Sequence, residues 1–387
     1  MKSGKWFVFA LVFVMAFNVG SVVLAKKSKP VKLIIVDVAG NLQLTQPAIE
    51  AFRKAHPNLV SEIEFLKSTP PEITAKIKVQ QASGYPEIAL VLTGNDAIAS
   101  GVRLKIWEKL MPKFKKYFPH LKSNYLAGAK AGYRLFKGYG LPVTYCPGGP
   151  MFTYNPNKVK NIPTTPNKLL EWAKANPGKF IYARPASSGP GRAFLQGLPY
   201  ILGDKHPKKP KTWTKTWNYL KKLDAYIDYY PSSTGITFKE LNDGTRYIIA
   251  SHLGWDINQR ILGAIPVNFQ GFFLKNTTWV VDTHYMCMPK GLDKDRQKAT
   301  LALMSYLLKP KAQAVTYDNG YFYPGPAIKN IPIAKAPKAS RVKVSAAMRP
   351  AYEKAIVSYP ATTQLDSKKM VEAFEMWDKL VGSQTMK

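Results

Sequence analysis

Four short stretches of this chain place small, polar and charged residues directly after β-branched or aliphatic runs. Gly40-Asn41 follows the run 32–38, and Thr93-Gly94-Asn95-Asp96 follows 86–92. Ser187-Ser188-Gly189-Pro190-Gly191-Arg192 follows 179–183, and Leu253-Gly254-Trp255-Asp256 follows 244–249. Where a strand feeds a helix, such stretches line one edge of an open sheet, which is where α/β proteins bind ligands. Ser187, Ser188 and Gly189 are small enough for a backbone to approach a ligand, and a helix starting at Arg192 offers unpaired N–H groups to negative charge. The same serines would serve equally as helix caps. Trp255 followed by Asp256 supplies a ring to stack on and a carboxylate to pair a cation, or else a core aromatic. The candidate ligand contacts are Asn41, Asn95 and Asp96 on one wall, and Ser187, Ser188, Gly189, Arg192, Trp255 and Asp256 on the other.

Bond-making chemistry has no comparable signature. The chain lacks a Gly-x-Ser-x-Gly elbow, HExxH, a Walker loop and GxGxxG, and its five histidines (His56, His120, His206, His252, His284) show no ligand spacing. Each histidine reads as a surface or capping residue. No cofactor and no metal are expected, and the protein reads as a binder, not an enzyme. A secreted two-lobed α/β enzyme of transferase type is the alternative, because a fold does not by itself determine function.

The elements that position these stretches alternate. Strands are predicted at 32–38, 61–67 and 86–92, with helices at 45–56 (capped by Thr45) and 70–83 between them. That β-α-β-α-β order implies a largely parallel sheet covered by helices. Alternation restarts with helix 166–176, strand 179–183, helices 192–202 and 213–224, and strand 244–249. A strand at 279–288 and a helix at 293–308 follow. The fold class expected is α/β, with two open sheets flanked by helices.

At the N-terminus, Lys2 and Lys5 precede an apolar run from Trp6, which ends in Val23-Leu24-Ala25. A basic start, an apolar centre and small residues before the cut predict a signal peptide, residues 1–25, and hence export. The formal charge of +32 becomes +30 once those two lysines are lost. This excess attracts anionic surfaces without specifying a fold. Lys outnumbers Arg 46 to 10, whereas nucleic-acid reading favours Arg, so nucleic acid is not an expected partner. An adhesin holding anionic polymers through this charge is a third reading. Cys146 and Cys287 allow one disulfide in an oxidising compartment.

The stretch 137–159, KGYGLPVTYCPGGPMFTYNPNKV, resembles the point where bacterial extracellular solute-binding proteins of family 1, the soluble receptors of ABC importers, cross between lobes. A second stretch, MPKGLDKDRQKATLALMSYLLKPKAQAV at 288–315, resembles their Pro-Lys-Gly turn and following helix. The resemblance implies a two-lobed periplasmic-binding-protein fold of type II. Its first lobe would comprise residues 31–145 and 266–335, its second 146–265, with a helical segment 336–387 packing on both. It also implies a periplasmic monomer that closes on a small solute and delivers it to a membrane permease. Cys146 and Cys287 would both lie on the hinge side of the first lobe, although Met286 and Met288 make Cys287 read equally well as core. The iron(III)-binding relatives use adjacent tyrosines. No His or Glu partner for Tyr229-Tyr230 is evident in the sequence, so iron is not expected. Asp96 and Asp256 would favour a cationic, polyamine- or thiamine-like solute, whereas Ser188 and Arg192 would favour an acidic or phosphorylated one. The resemblance leans to the cationic solute, and a sugar also fits it.

Overall fold

The computed structural model describes Met1 and residues 29–383. The predicted leader falls almost wholly on residues 2–28, which lie outside the described set, as do residues 384–387. Among the described residues eleven strands form two sheets. The strands are β1 (Val31–Asp37), β2 (Val60–Lys67), β3 (Ile88–Thr93), β4 (Leu141–Gly149), β5 (Met151–Tyr154) and β6 (Phe180–Ile181). They continue with β7 (Ile248–Ser251), β8 (Gln270–Phe272), β9 (Trp279–Cys287), β10 (Gly325–Pro326) and β11 (Ala361–Thr362).

The larger sheet runs β10-β4-β9-β3-β1-β2, with β11 on β9, and the smaller runs β6-β7-β5-β8. In the larger sheet β1, β2 and β3 are parallel, while β9 returns antiparallel between β3 and β4. This is the two-lobed type II arrangement. Strand β3 is buried on both faces, as the unbroken burial of Ile88–Thr93 shows, because helices cover both sides there, whereas the edge strand β2 leaves Ser61, Glu62 and Lys67 exposed.

Helix Leu42–Ala55 starts three residues before the predicted cap. Asp37 at the end of β1 explains this: Oδ1 accepts from the N–H of Ala39 and Asn41, and Oδ2 from that of Leu42. One carboxylate thereby satisfies the free donors of the strand-to-helix turn. Helix Pro70–Ala82 starts from a capping box between Thr69 and Glu72.

The chain leaves the larger sheet between Gly149 and Met151, where β4 ends and β5 begins. Its return differs from the expectation. Strand β8 still belongs to the smaller sheet, so the chain comes back only across residues 273–278, about ten residues later than a first-lobe restart at 266. Likewise β4 keeps residues 146–149 in the larger sheet. Helix Ser367–Trp377 then contributes Met370, Ala373 and Trp377 to the smaller lobe's core. A further cluster joins Leu44, Cys146 and Met151 to Leu253, Ile257 and Tyr352, which glues the crossings together.

The disulfide does not form: Cys146 and Cys287 are both buried free thiols. Cys146 faces Asp282 across the β4–β9 ladder, and Cys287 lies five residues further along β9. That offset is roughly 17 Å of strand, whereas a bridge needs Cα atoms within about 7 Å.

Candidate functional site

A cavity of about 220 Å³ lies between the two sheets. The larger lobe supplies Val38 and Ala39 after β1, Thr93 to Asp96 after β3, and Asp282 and His284 from β9. Ser187, Gly189, Arg192, Thr234, His252 and Trp255 come from the smaller lobe's side. The turn before β10 adds Tyr321 and Phe322. Helices Asn95–Arg103, Gly189–Ile201, Thr234–Asn242 and Leu253–Ile261 all begin at this cavity. Their positive dipole ends therefore point into it.

Close backbone packing sets two of these walls. At Gly191 a Cβ would lie 2.1 Å from the Ala183 carbonyl oxygen, so only glycine lets this helix start so near the β6 loop. At Gly254 a Cβ would lie 2.1 Å from the Tyr321 carbonyl oxygen. That contact brings Trp255 edge-on to Tyr321, with ring centroids 5.8 Å apart, while Phe238 stacks on Trp255 at 6.0 Å. Trp255 thus presents a fixed aromatic surface.

Of the predicted contacts, Asn95, Asp96, Ser187, Gly189, Arg192 and Trp255 line this cavity. Three do not. Asp256 is fully buried, with Oδ1 2.6 Å from Thr153 Oγ1 and Oδ2 2.6 Å from both Tyr352 Oη and Arg260 Nη2. Its neighbourhood is the first turn of helix Leu253–Ile261 and not a loop, so Asp256 points back at Arg260 four residues on. It is a packing ion pair and cannot select a cation. Asn41 is also fully buried: Nδ2 donates to Thr144 Oγ1 at 3.1 Å and to His284 Nδ1 at 3.2 Å, while Oδ1 accepts from Thr45 Oγ1. It orients His284 instead of meeting a ligand, and leaves Nε2 as that ring's protonated nitrogen. Ser188 takes the capping role, accepting from the Gly191 N–H at 3.1 Å and pairing with Thr234 Oγ1 at 2.7 Å.

Other groups that line the cavity escaped the sequence reading, among them Asp282, His284, His252, Thr234, Tyr321 and Phe322. Asp282 and His284 alternate on β9 and so share one face. His252 and His284, expected at the surface or at caps, are 3% and 5% exposed, although His252 does occupy a helix N-cap position. Burial pulls His252 down to about 4, and burial beside His252 pulls His284 down to about 3, so both rings are neutral at pH 7. Burial pushes the Asp282 carboxyl up to about 6, against the pull of Arg192 and the Thr283 N–H. Asp282 keeps 22% of its side-chain surface, on the cavity.

Across the cleft, Arg192 Nη2 of the smaller lobe lies 3.3 Å from Asp96 Oδ2 of the larger. Three buried polar atoms on the same walls have no hydrogen-bond partner: Asn95 Oδ1, Arg192 Nε and His252 Nε2, the last 3.9 Å from Asp282 Oδ2. Unpaired buried groups cost about 1–3 kcal/mol each, and a solute that hydrogen-bonds them recovers that. Among the described residues no His, Cys, Asp and Glu group could hold a metal ion.

Two α/β lobes with a polar cavity between their strand ends define the architecture of a two-lobed binding protein. The sequence matches the profile of the bacterial extracellular solute-binding proteins over residues 47–346, and the chain belongs to that family. The family works outside the cytoplasmic membrane, as binders and not as enzymes, and the protein is placed there with it. Protein YnjB of Escherichia coli K12 is 28% identical over 166 residues, 39% of this chain and 42% of that protein, so the match spans less than half of the relative's length. The fold resembles the spermidine/putrescine ABC transporter substrate-binding protein PotD of Streptococcus pneumoniae. Identity is 15%, the TM-score 0.63, and the match covers 93% of this chain and 100% of that one. It also resembles the periplasmic binding protein AfuA of Actinobacillus pleuropneumoniae, with fructose-6-phosphate bound. Identity there is 14%, the TM-score 0.62, and the match covers 90% of this chain and 98% of that one.

Proposed function

We propose that this protein is the soluble receptor of an ABC importer, capturing a small organic solute by closing its two lobes and delivering it to a membrane permease. The observation that carries this reading is the cavity itself. Both lobes contribute unpaired buried polar atoms to it, and one ion pair, Arg192–Asp96, ties the lobes together. A solute touching both walls gains its full contacts only when the cleft is shut, so its binding selects the closed state.

The solute is cationic, but not for the reason read from sequence. With Asp256 withdrawn and Asp96 engaged by Arg192, the surplus negative charge is Asp282. Trp255, Tyr321 and Phe322 supply aromatic faces for a cation or a planar ring. Arg192 Nε and the helix N-termini meanwhile ask for an acceptor. A thiamine-like ring cation that also carries hydrogen-bond acceptors satisfies all of these, whereas a polyamine, all donors when protonated, satisfies only the charge and the aromatic faces. The test is a thermal-shift screen of cationic, zwitterionic, sugar and phosphorylated solutes, because a ligand that binds only the folded state raises apparent stability. Stabilisation by cationic solutes and not by sugar phosphates is expected. The reverse ranking rejects the cationic reading, and no response to any class rejects the receptor reading.

A further inference from the structure

The solute site leaves the chain's large positive charge unused, and that charge is not evenly spread. Residues 103–137 contain ten Lys or Arg and a single carboxylate, Glu108. That is +9 in 35 residues, nearly a third of the whole chain's +32. Leu110, Phe114, Phe118, Leu121 and Tyr125 bury into the larger lobe's core and hold the segment down. Nine of the ten cations are exposed, with Lys130 half-buried.

Four of them meet at one place. Lys109, Lys122, Arg134 and Lys137 surround a concavity of about 390 Å³ floored by Met111 and Tyr133, with no carboxylate in its lining. Lys122 Nζ sits 5.8 Å from the Tyr133 ring centroid, and Lys109 Nζ 5.8 Å from that of Tyr139. None of the four makes an ion pair among the described residues. Glu108 is already engaged by Lys113 at 2.8 Å. None of the four lines the solute cavity.

We propose that this basic cradle docks the protein on an anionic phospholipid surface. Like charges held this close repel one another unless phosphates neutralise them. One small anion can use two or three donors. A bilayer offers an array of phosphates, which uses the cradle together with Arg103, Lys105, Lys115 and Lys116 on the same segment. Each Lys or Arg near an anionic leaflet contributes to attraction within about a Debye length. Docking of this kind would hold an exported receptor near the membrane while its cleft stays free to bind solute.

The test uses the chain from Lys26 onward, which carries every described helix and strand. It is sedimented with phosphatidylcholine vesicles containing one-third phosphatidylglycerol, and with pure phosphatidylcholine. A cradle variant (Lys109→Gln, Lys122→Gln, Arg134→Gln, Lys137→Gln) is compared with a charge-matched loop variant (Lys205→Gln, Lys209→Gln, Lys211→Gln, Lys215→Gln). Circular dichroism confirms that both fold. The expected result is binding to the anionic vesicles alone, weakened at least about tenfold in the cradle variant and little changed in the loop variant. Equal loss in both variants means bulk charge acts without a site, and overturns the proposal. So does an absence of vesicle binding, including the case in which inorganic phosphate alone raises the melting temperature in a cradle-dependent way.

Discussion

Asp282→Asn should make the empty protein more stable and bind its solute less well. In the folded state burial raises this carboxyl from 3.8 to about 6. The folded protein therefore holds this proton more tightly than the unfolded chain, and stability falls as pH rises from 3.8 through about 6. Above that window the ionised form carries a penalty of about two pKa units, or ~3 kcal/mol at most. Asparagine removes the charge while its amide oxygen, in the place of Asp282 Oδ1, still accepts from both the Thr283 N–H and Gln364 Nε2. At pH 7.5 the variant should gain roughly 1–3 kcal/mol in urea unfolding. At pH 3 the gain should all but vanish, since the carboxyl is then mostly neutral in both states. A cationic solute draws on the same reservoir, so its affinity should fall by up to about a hundredfold, at 1.4 kcal/mol per decade. Urea titrations at both pH values and calorimetry with the best-stabilising solute measure the two effects. A gain that persists undiminished at pH 3, or undiminished affinity for a cation, refutes the assignment.

Asp256→Asn should cost about 3–5 kcal/mol in urea unfolding, because it strands the fully buried Arg260 guanidinium. An effect below about 1 kcal/mol would contradict a packing role. Arg192→Ala should lower stability by only about 1 kcal/mol or less, since Asp96 is 41% exposed, yet weaken solute binding clearly. Undiminished affinity in this variant removes Arg192 from the site. His252 and His284 stay neutral down to about 4 and 3, whereas the unfolded chain protonates them near 6.5. Their contribution is present above 6.5 and is lost as pH falls toward 4, which opposes the smaller Asp282 trend. Melting temperature should therefore drop between pH 6.5 and 4, and a flat profile would contradict two buried neutral imidazoles. Both thiols should label only after denaturation, without reductant, and labelling that requires reductant would restore the disulfide.

The core elements were legible because their patterns are strong. The runs KLIIVDV and PEIALVL read as strands, and they appear as β1 and β3 to within two residues at each end. Three features were hidden by local chemistry that tertiary contacts override. Gly94-Asn95-Asp96 and Gly254-Trp255-Asp256 look like loops because Gly, Asn and Asp favour turns. Each is instead a helix start, and at the second the spacing Leu253-Ile257-Ile261 with Asp256-Arg260 carried the helical signal. Asp282 and His284 were read as part of a core strand. Their period of two, polar on alternate positions of a β-branched run, was the available clue that one face meets a cavity. The return crossing was misplaced because β8 is only three residues long, too short to show a pattern.

The central claim, a receptor that closes on its solute, is tested most directly by the distance between the lobes. Exposed Lys54 on the larger lobe and Lys222 on the smaller can be replaced by cysteine and labelled with a fluorescence donor and acceptor, since the native thiols are buried. The account predicts that energy transfer rises with added solute, saturates at the affinity measured by calorimetry, and shifts to higher concentration in Asp282→Asn. A solute that binds with full affinity while the interlobe distance stays unchanged would contradict it.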